Sequence, residues 1–302
     1  MTIKDLEYFA VIARHGSITR AASELFIAQP ALSQCLQKLE KETGLQLFVR
    51  QSRGVALTSQ GECFLHFAQS VLREQEDMKR RMQDVEHGEK GQIRLGFPGS
   101  QAAFVLPHIL PDFQAAHPGV SIVLVEATSN DIEQKLLDHE VDMGILHLPV
   151  LCEELDWFEL SRDEMVFVPR STTDLTESTY QEAGRRYIRP EFLAAEPLIL
   201  TPPEQRSRMV CDRILAGAGV VPQIKQISRN LSTLDALVQV DYASTLMPEK
   251  QLSAALRQRG YCYLPPKLSV PYTFVVATLK EGYLPIAAKA LMAELKKKQF
   301  TF

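Results

Sequence analysis

The chain has 302 residues, 45% hydrophobic and 23% charged, a balance that suits a folded protein of two or three packed units and excludes a disordered one. Its formal net charge of −4 excludes a protein coated all over with basic nucleic-acid-binding surface, although a total can conceal a local patch. No run approaches the roughly 18 apolar residues of a membrane span, and the five cysteines, Cys35, Cys63, Cys152, Cys211 and Cys262, have neither metal-ligand nor disulfide-framework spacing.

The opening MTIKDLEYFAVIARHG carries charges through a helical pattern and lacks the apolar core of a targeting segment, which fits a cytoplasmic protein. Leu6, Phe9, Ala10 and Ala13 form one helical face that ends at His15-Gly16, and Ser17 can cap a second short helix through Ala21, Ala22 and Leu25. In FIAQPALSQCLQKLE, Pro30 suits the first helical position, where its missing N–H would have no partner anyway. Leu32, Leu36 and Leu39 then make an apolar face, while Ser33, Gln34, Gln37 and Lys38 line the other side until the helix stops near Gly44. Next, Leu45, Leu47 and Val49 alternate, Gly54 supplies a turn, and Val55 and Leu57 alternate again, which predicts a hairpin flanked at its tip by Arg50 and Arg53. The first 60 residues hold seven Lys or Arg against five Asp or Glu, 7 − 5 = +2, so a case for DNA rests on arrangement rather than charge. Three helices and a basic hairpin over residues 1–58 describe a winged helix-turn-helix.

From Ser59 to about His87 runs a polar helix, about 40 Å long at 1.5 Å per residue. Its apolar Phe64, Val71, Met78 and Val85 recur at sevenfold spacing, reinforced by Phe67 and Met82. Such a stripe fits pairing with a second copy, or lying along its own domain. Gly88 and Gly91 bracket a hinge, so residues 59–90 form a linker or dimerisation helix with its hinge.

Beyond it, QIRLGF, SIVLVE and VDMGILHLP read as strands separated by helices at 100–119, where Pro107 and Pro111 should distort the helix, and at SNDIEQKLLDHE. A second series follows: EMVFV, LIL, the helix in EQRSRMVCDRILAGAG, QIKQI, the helix LSTLDALVQV, and STLMP. Then LSVPYTFVVATL returns as a strand before a last helix with a basic end. The late return predicts a two-lobed α/β region over 91–302, with lobe I about 91–165 and 268–302 and lobe II about 166–267.

With these elements in view, the chain resembles the LysR-type transcriptional regulators. The resemblance lies in LEYFAVIARHGSITRAASELFIAQPALSQCLQKLEKETGLQLFVRQSRGVALTSQG over residues 6–61, then in IRLGF, LPHILPDFQAAHPGVSIVLVE and LLDHEVDMGI. It implies a periplasmic-binding-protein-like effector domain at the carboxyl side. It also implies that the helix opened by Pro30 reads DNA, with Gln29, Ser33 and Gln34 as its contacts. Many family members carry arginine where this chain has Gln34, so adenine or a phosphate suits this side chain better than guanine. The segment RSTTDLTESTYQEAGRRYIRPEF is longer than the family's usual loop with its histidine-proline pair, which allows a local helix or an altered interdomain surface.

The residues themselves add Thr19 as a phosphate contact and Arg50 and Arg53 as wing contacts to phosphate or the minor groove. Gln29 and Ser33 also suit local capping, and an exposed arginine needs no special role. Ser100 and Thr201 occupy comparable strand-to-helix positions in the two lobes, where hydroxyls and helix N–H groups can hold an oxygen-rich group or cap the helix. The family resemblance adds Gln101, Thr128 and His147. No nucleophile, base and orienting group form a set, no GxGxxG follows a strand, and no His/Cys metal set occurs, so the chain reads as neither an enzyme nor a cofactor protein.

The expected function is sequence-specific regulation of transcription on double-stranded promoter DNA. The protein works as a homodimer or homotetramer whose geometry responds to a small polar or anionic metabolite, with RNA polymerase as a candidate partner and no membrane. The competing reading is a small-molecule-binding scaffold with an amino-terminal protein-association module.

Overall fold

A computed structural model describes residues 1–51, 54–87, 91–99 and 105–297. The chain divides into two compact units, Met1–Glu86 and His87–Phe302.

The first unit begins with α1 (Ile3–His15), which Thr2 and Asp5 open with a capping box and Gly16 closes at a φ of 57°. Ser17 caps α2 (Ile18–Glu24), accepting the Arg20 N–H. Helix α3 (Gln29–Thr43) starts one residue before Pro30, and its N-cap is Ala28, which has no side-chain acceptor to offer. Proline still falls in the first turn, where it breaks no hydrogen bond. Leu6, Phe9, Ile12, Ala21, Ala22, Leu32, Leu36 and Leu39 bury against one another and against Leu47, Phe48 and Phe64.

The hairpin β1 (Phe48–Gln51) and β2 (Gly54–Leu57) pairs Phe48 with Leu57 and Arg50 with Val55. Its register differs from the alternation Leu45, Leu47, Val49. Leu47 and Phe48 are both buried, whereas Leu45 and Val49 are exposed. The cause lies on α3: the Glu40 carboxylate accepts the Leu47 and Phe48 N–H groups at 2.8 and 3.2 Å, which holds the backbone irregular until the strand begins. The Val55 N–H then donates to the Gly16 carbonyl at 3.0 Å, tying the hairpin to the turn between α1 and α2. Helix α4 (Ser59–His87) packs Phe64 edge-on to Phe9, with ring centroids 4.9 Å apart. Further along, Met78, Met82 and Val85 are exposed, Val85 at 88%.

In the second unit, β3 (Gln92–Phe97) lies parallel between β4 (Ser121–Glu126) and β5 (Met143–His147). Pro107 and Pro111 start helices rather than distort one. A short 3-10 turn (Leu106–His108) and α5 (Leu110–Ala116) each carry proline in the first turn, where its fixed φ is suited to the helix. Thr128 caps α6 (Ser129–Leu137).

The strand recognised in sequence only by its end, EMVFV, is β6 (Leu155–Val168), 14 residues long. It pairs antiparallel with β13 (Pro271–Leu279) as far as Glu164, then with β11 (Ser244–Pro248) from Met165. On β11 lies parallel β9 (Pro197–Leu200), and beyond it β10 (Gln223–Ile227), giving the order β10-β9-β11-β6-β13-β5-β3-β4. Helices α7 (Arg206–Gly217) and α8 (Leu231–Gln239) lie on opposite faces of the β9–β11 half, in separate apolar cores; α9 (Ala254–Arg259) and α10 (Ile286–Lys297) follow.

The long segment after β6 adopts a hairpin, β7 (Thr179–Glu182) and β8 (Arg185–Ile188), turning at Ala183-Gly184 with positive φ at both. Its only helical part among the described residues is a 3-10 turn at Pro190–Ala194. Tyr180 stacks on Tyr187 at 5.4 Å, and β8 joins the sheet through β12 (Cys262–Tyr263).

Candidate functional site

The amino-terminal unit exposes a polar helix face. Gln29, Pro30 and Gln34 are exposed on α3, Ser33 is half-buried beside them, Thr19 is exposed on α2 and Arg50 on β1. No hydrogen bond joins the side chain of Gln29, Ser33, Gln34 or Arg50 to a described residue, so these groups keep their capacity for a partner. Arg53 lies outside the described residues. Not every local cation shares this freedom: Arg14 is paired with Glu24, and Arg20 donates to the His15 carbonyl. Sequence spacing misses Phe26, which stands in the turn before α3 with its ring 95% exposed and its φ at 54°.

The carboxy-terminal unit holds a cavity of about 530 Å³ at the carboxyl ends of β3, β4, β5, β9 and β10. Open α/β sheets place ligands at such strand ends. Thr128 lines it, although its hydroxyl already serves α6, accepting the Asp131 N–H at 3.2 Å and donating to the Asp131 carboxylate at 2.8 Å. His147 lies in its wall at the end of β5, stacked on Tyr272 with centroids 3.8 Å apart. Burial holds the His147 imidazole well below its ordinary pKa; the adjacent Thr273 backbone opposes this and the Arg206 cation adds to it, so the ring is neutral. Both of its nitrogens are buried, and neither makes a hydrogen bond of good geometry to a described residue, the Thr273 backbone being the nearest acceptor.

Thr201 does not line the cavity. Its side chain turns inward, where its oxygen pairs with Ser207 Oγ at 2.7 Å, and Ser207 is the hydroxyl at the wall. Ser100 and Gln101 lie outside the described residues, but their neighbour Gly99 contributes to the wall.

Local spacing also misses a buried ion pair that joins the two lobes through Arg206, a residue of the cavity wall. Arg206, at the start of α7, donates through Nη2 to Glu133 Oε1 at 2.6 Å, and Glu133 belongs to α6. The other Glu133 oxygen accepts the Leu151 and Cys152 N–H groups, each at 2.9 Å. These partners are 73 residues apart in sequence, and only the fold brings them together.

Among the described residues no cluster of His, Cys, Asp and Glu could hold a metal ion, and no helix is long and apolar enough to cross a membrane. Burial pushes the Cys211 thiol up to about 12 and Cys262 to about 11, which keeps both as unreactive thiols.

A helix-turn-helix with a β hairpin, a long helix, and a two-lobed α/β unit with a cavity at its strand ends define a ligand-responsive DNA-binding regulator of transcription. The chain belongs to the LysR family. The profile described as "Bacterial regulatory helix-turn-helix protein, lysR family" matches residues 3–62, and "LysR substrate binding domain" matches residues 86–299. Members of this family are transcriptional regulators, not enzymes; they bind promoter DNA and small-molecule effectors and form oligomers.

The chain is 31% identical to the uncharacterized HTH-type transcriptional regulator YcgK of Bacillus subtilis, over 97% of this chain and 93% of that one. It is 36% identical to the Hca operon transcriptional activator HcaR of Escherichia coli, over 56% of each. Among solved structures it resembles HinK of Pseudomonas aeruginosa, with a TM-score of 0.60 at 22% identity over the whole of both chains. It also resembles full-length CbnR in complex with target DNA, with a TM-score of 0.57 at 19% identity, over 98% of this chain and 99% of that one.

Proposed function

We propose that α3 reads an operator in the major groove through Gln29, Ser33 and Gln34, with Thr19 on the backbone and the Arg50–Arg53 hairpin on phosphate or the minor groove. The observation that carries this is the exposed polar face of α3: its apolar residues serve the core, and its amide side chains have no protein partner. Glutamine can bond adenine through two adjacent atoms, and arginine on the wing supplies backbone affinity. The protein acts in the cytoplasm as a dimer or tetramer. Exposed Met78, Met82 and Val85 on α4 support pairing with a second copy, which would present two α3 helices to two half-sites. RNA polymerase is the candidate partner at the promoter. The cavity takes a small polar metabolite, and ligand shifts the assembly only through different affinity for its two arrangements.

Selection of DNA by the full-length protein tests this reading. Alanine at Gln29, Ser33 and Gln34 together should remove sequence preference while leaving non-specific affinity. Arg50→Ala should weaken binding evenly across sequences and reduce the salt slope by about 1 for each protomer on the DNA. Equal affinity of the intact protein for selected and unrelated DNA would overturn the assignment.

A further inference from the structure

The polar groups of the cavity are divided by charge, and this division narrows the ligand. Resting on the reading of this cavity as the effector site, we propose that its ligand is a small zwitterion whose carboxylate meets Arg206 and His147 while its ammonium group faces Glu126 and Asp131.

Arg206 is a buried cation with spare donors. Its side chain is only 2% exposed, one edge is held by Glu133, and its Nε is buried without a hydrogen-bond partner among the described residues. His147 shares the same wall. Buried polar atoms left open beside one cavity, Arg206 Nε and a His147 nitrogen, are costly unless a ligand or water satisfies them. A carboxylate supplies the acceptors that Arg206 Nε and one imidazole N–H require.

The mouth carries the opposite sign. Glu126 ends β4 and Asp131 lies in the first turn of α6; both are exposed, both line the cavity, and neither forms an ion pair among the described residues. Glu204 is neutralised by Arg229 at 3.0 Å. Glu133 already balances Arg206, so a dianion would meet two uncompensated carboxylates. A simple amine would leave the Arg206 side unsatisfied. A single molecule with one carboxylate and one ammonium group answers both ends.

The test uses the full-length protein, with calorimetric titration and thermal unfolding. The probes are the standard L-amino acids and 4-aminobutanoate, the same skeletons without the ammonium or without the carboxylate, and succinate and inorganic phosphate. At least one zwitterion should bind about tenfold more tightly than either truncated counterpart, the preference that two partly hydrated ion pairs can supply. Glu126→Gln with Asp131→Asn, which keeps an acceptor for the Thr128 hydroxyl, should erase the preference while the ammonium-free carboxylate binds as tightly as before or more tightly. Equal binding of that carboxylate, a preference that survives in the double variant, or binding by anions alone would overturn the zwitterion while leaving the cavity as an effector site. Silence from every probe at about 10 mM, with DNA binding intact, would overturn the cavity assignment as well.

Discussion

Glu133 and Arg206 form one ion pair, yet the two ends should not be equally costly to remove. Glu133→Ala strands a buried guanidinium, which costs about 3–5 kcal/mol, and leaves the Leu151 and Cys152 N–H groups without their acceptor, about 1 kcal/mol each. The sum is about 5–7 kcal/mol. Arg206→Met removes one charged hydrogen bond, but Glu133 keeps both backbone donors, and the unpartnered Nε disappears with the side chain. Its expected cost is about 3 kcal/mol, the low end for a broken buried pair, because two backbone N–H groups still hold the buried carboxylate. The single tryptophan, Trp157 on β6, reports urea unfolding of this unit, and amide exchange at Leu151 and Cys152 reports the local effect. Exchange there should accelerate strongly in Glu133→Ala and weakly in Arg206→Met. Equal losses of stability in the two variants, or equal acceleration of exchange, would refute the asymmetry.

Three further outcomes follow from single positions. Phe26→Asn should raise the thermal midpoint of the amino-terminal unit, by the ~1 kcal/mol that left-handed backbone costs a bulky residue; a lower midpoint would show that the exposed ring stabilises the fold. Gly61→Ala should destabilise the same unit by more than the ~1 kcal/mol a helix normally gains from this change, because an added Cβ would lie 2.0 Å from the Leu47 carbonyl oxygen; a circular-dichroism melt at or above the parent's would contradict this. Burial raises the pKa of Asp163 to about 6 from an ordinary 3.8, so the folded state holds this proton more tightly than the unfolded chain. Its contribution is therefore present at low pH and lost as pH rises from about 4 to 6, by up to about 3 kcal/mol. Urea titrations across that range should show Asp163→Asn gaining on the parent as pH rises, and parallel profiles would exclude it.

What local spacing reveals here is set by the range of the forces involved. Leu32, Leu36 and Leu39 announce α3 because a helix repeats its buried face within a few residues, and Ser17 marks a helix start through its side-chain acceptor and Gly44 a helix end through its left-handed backbone. The strand register around Phe48 was hidden because the group that sets it, Glu40, belongs to a different element. The same holds for the β7–β8 hairpin, whose tyrosines gain a neighbour from Tyr263 far along the chain. In the cavity wall, Thr128 and His147, which only the family resemblance pointed to, stand after β4 and β5. Thr201 occupied the corresponding place after β9 but turned inward, because Ser207 on the following helix captures its hydroxyl. Arg206 and Glu133 carried no local sign at all, since each completes the other only after both lobes have formed.

The unbroken run of β6 through both halves of the sheet has a mechanical consequence. Its ladder to β13 ends at Glu164 and its ladder to β11 begins at Met165, so adjacent residues of one strand are bolted to different halves. Sliding one half past the other would tear hydrogen bonds on both sides, whereas rotation about the junction strains only a few backbone torsions. A metabolite gripping both walls would thus be felt elsewhere as torque along this spindle, a small twist magnified by its distance from the axis.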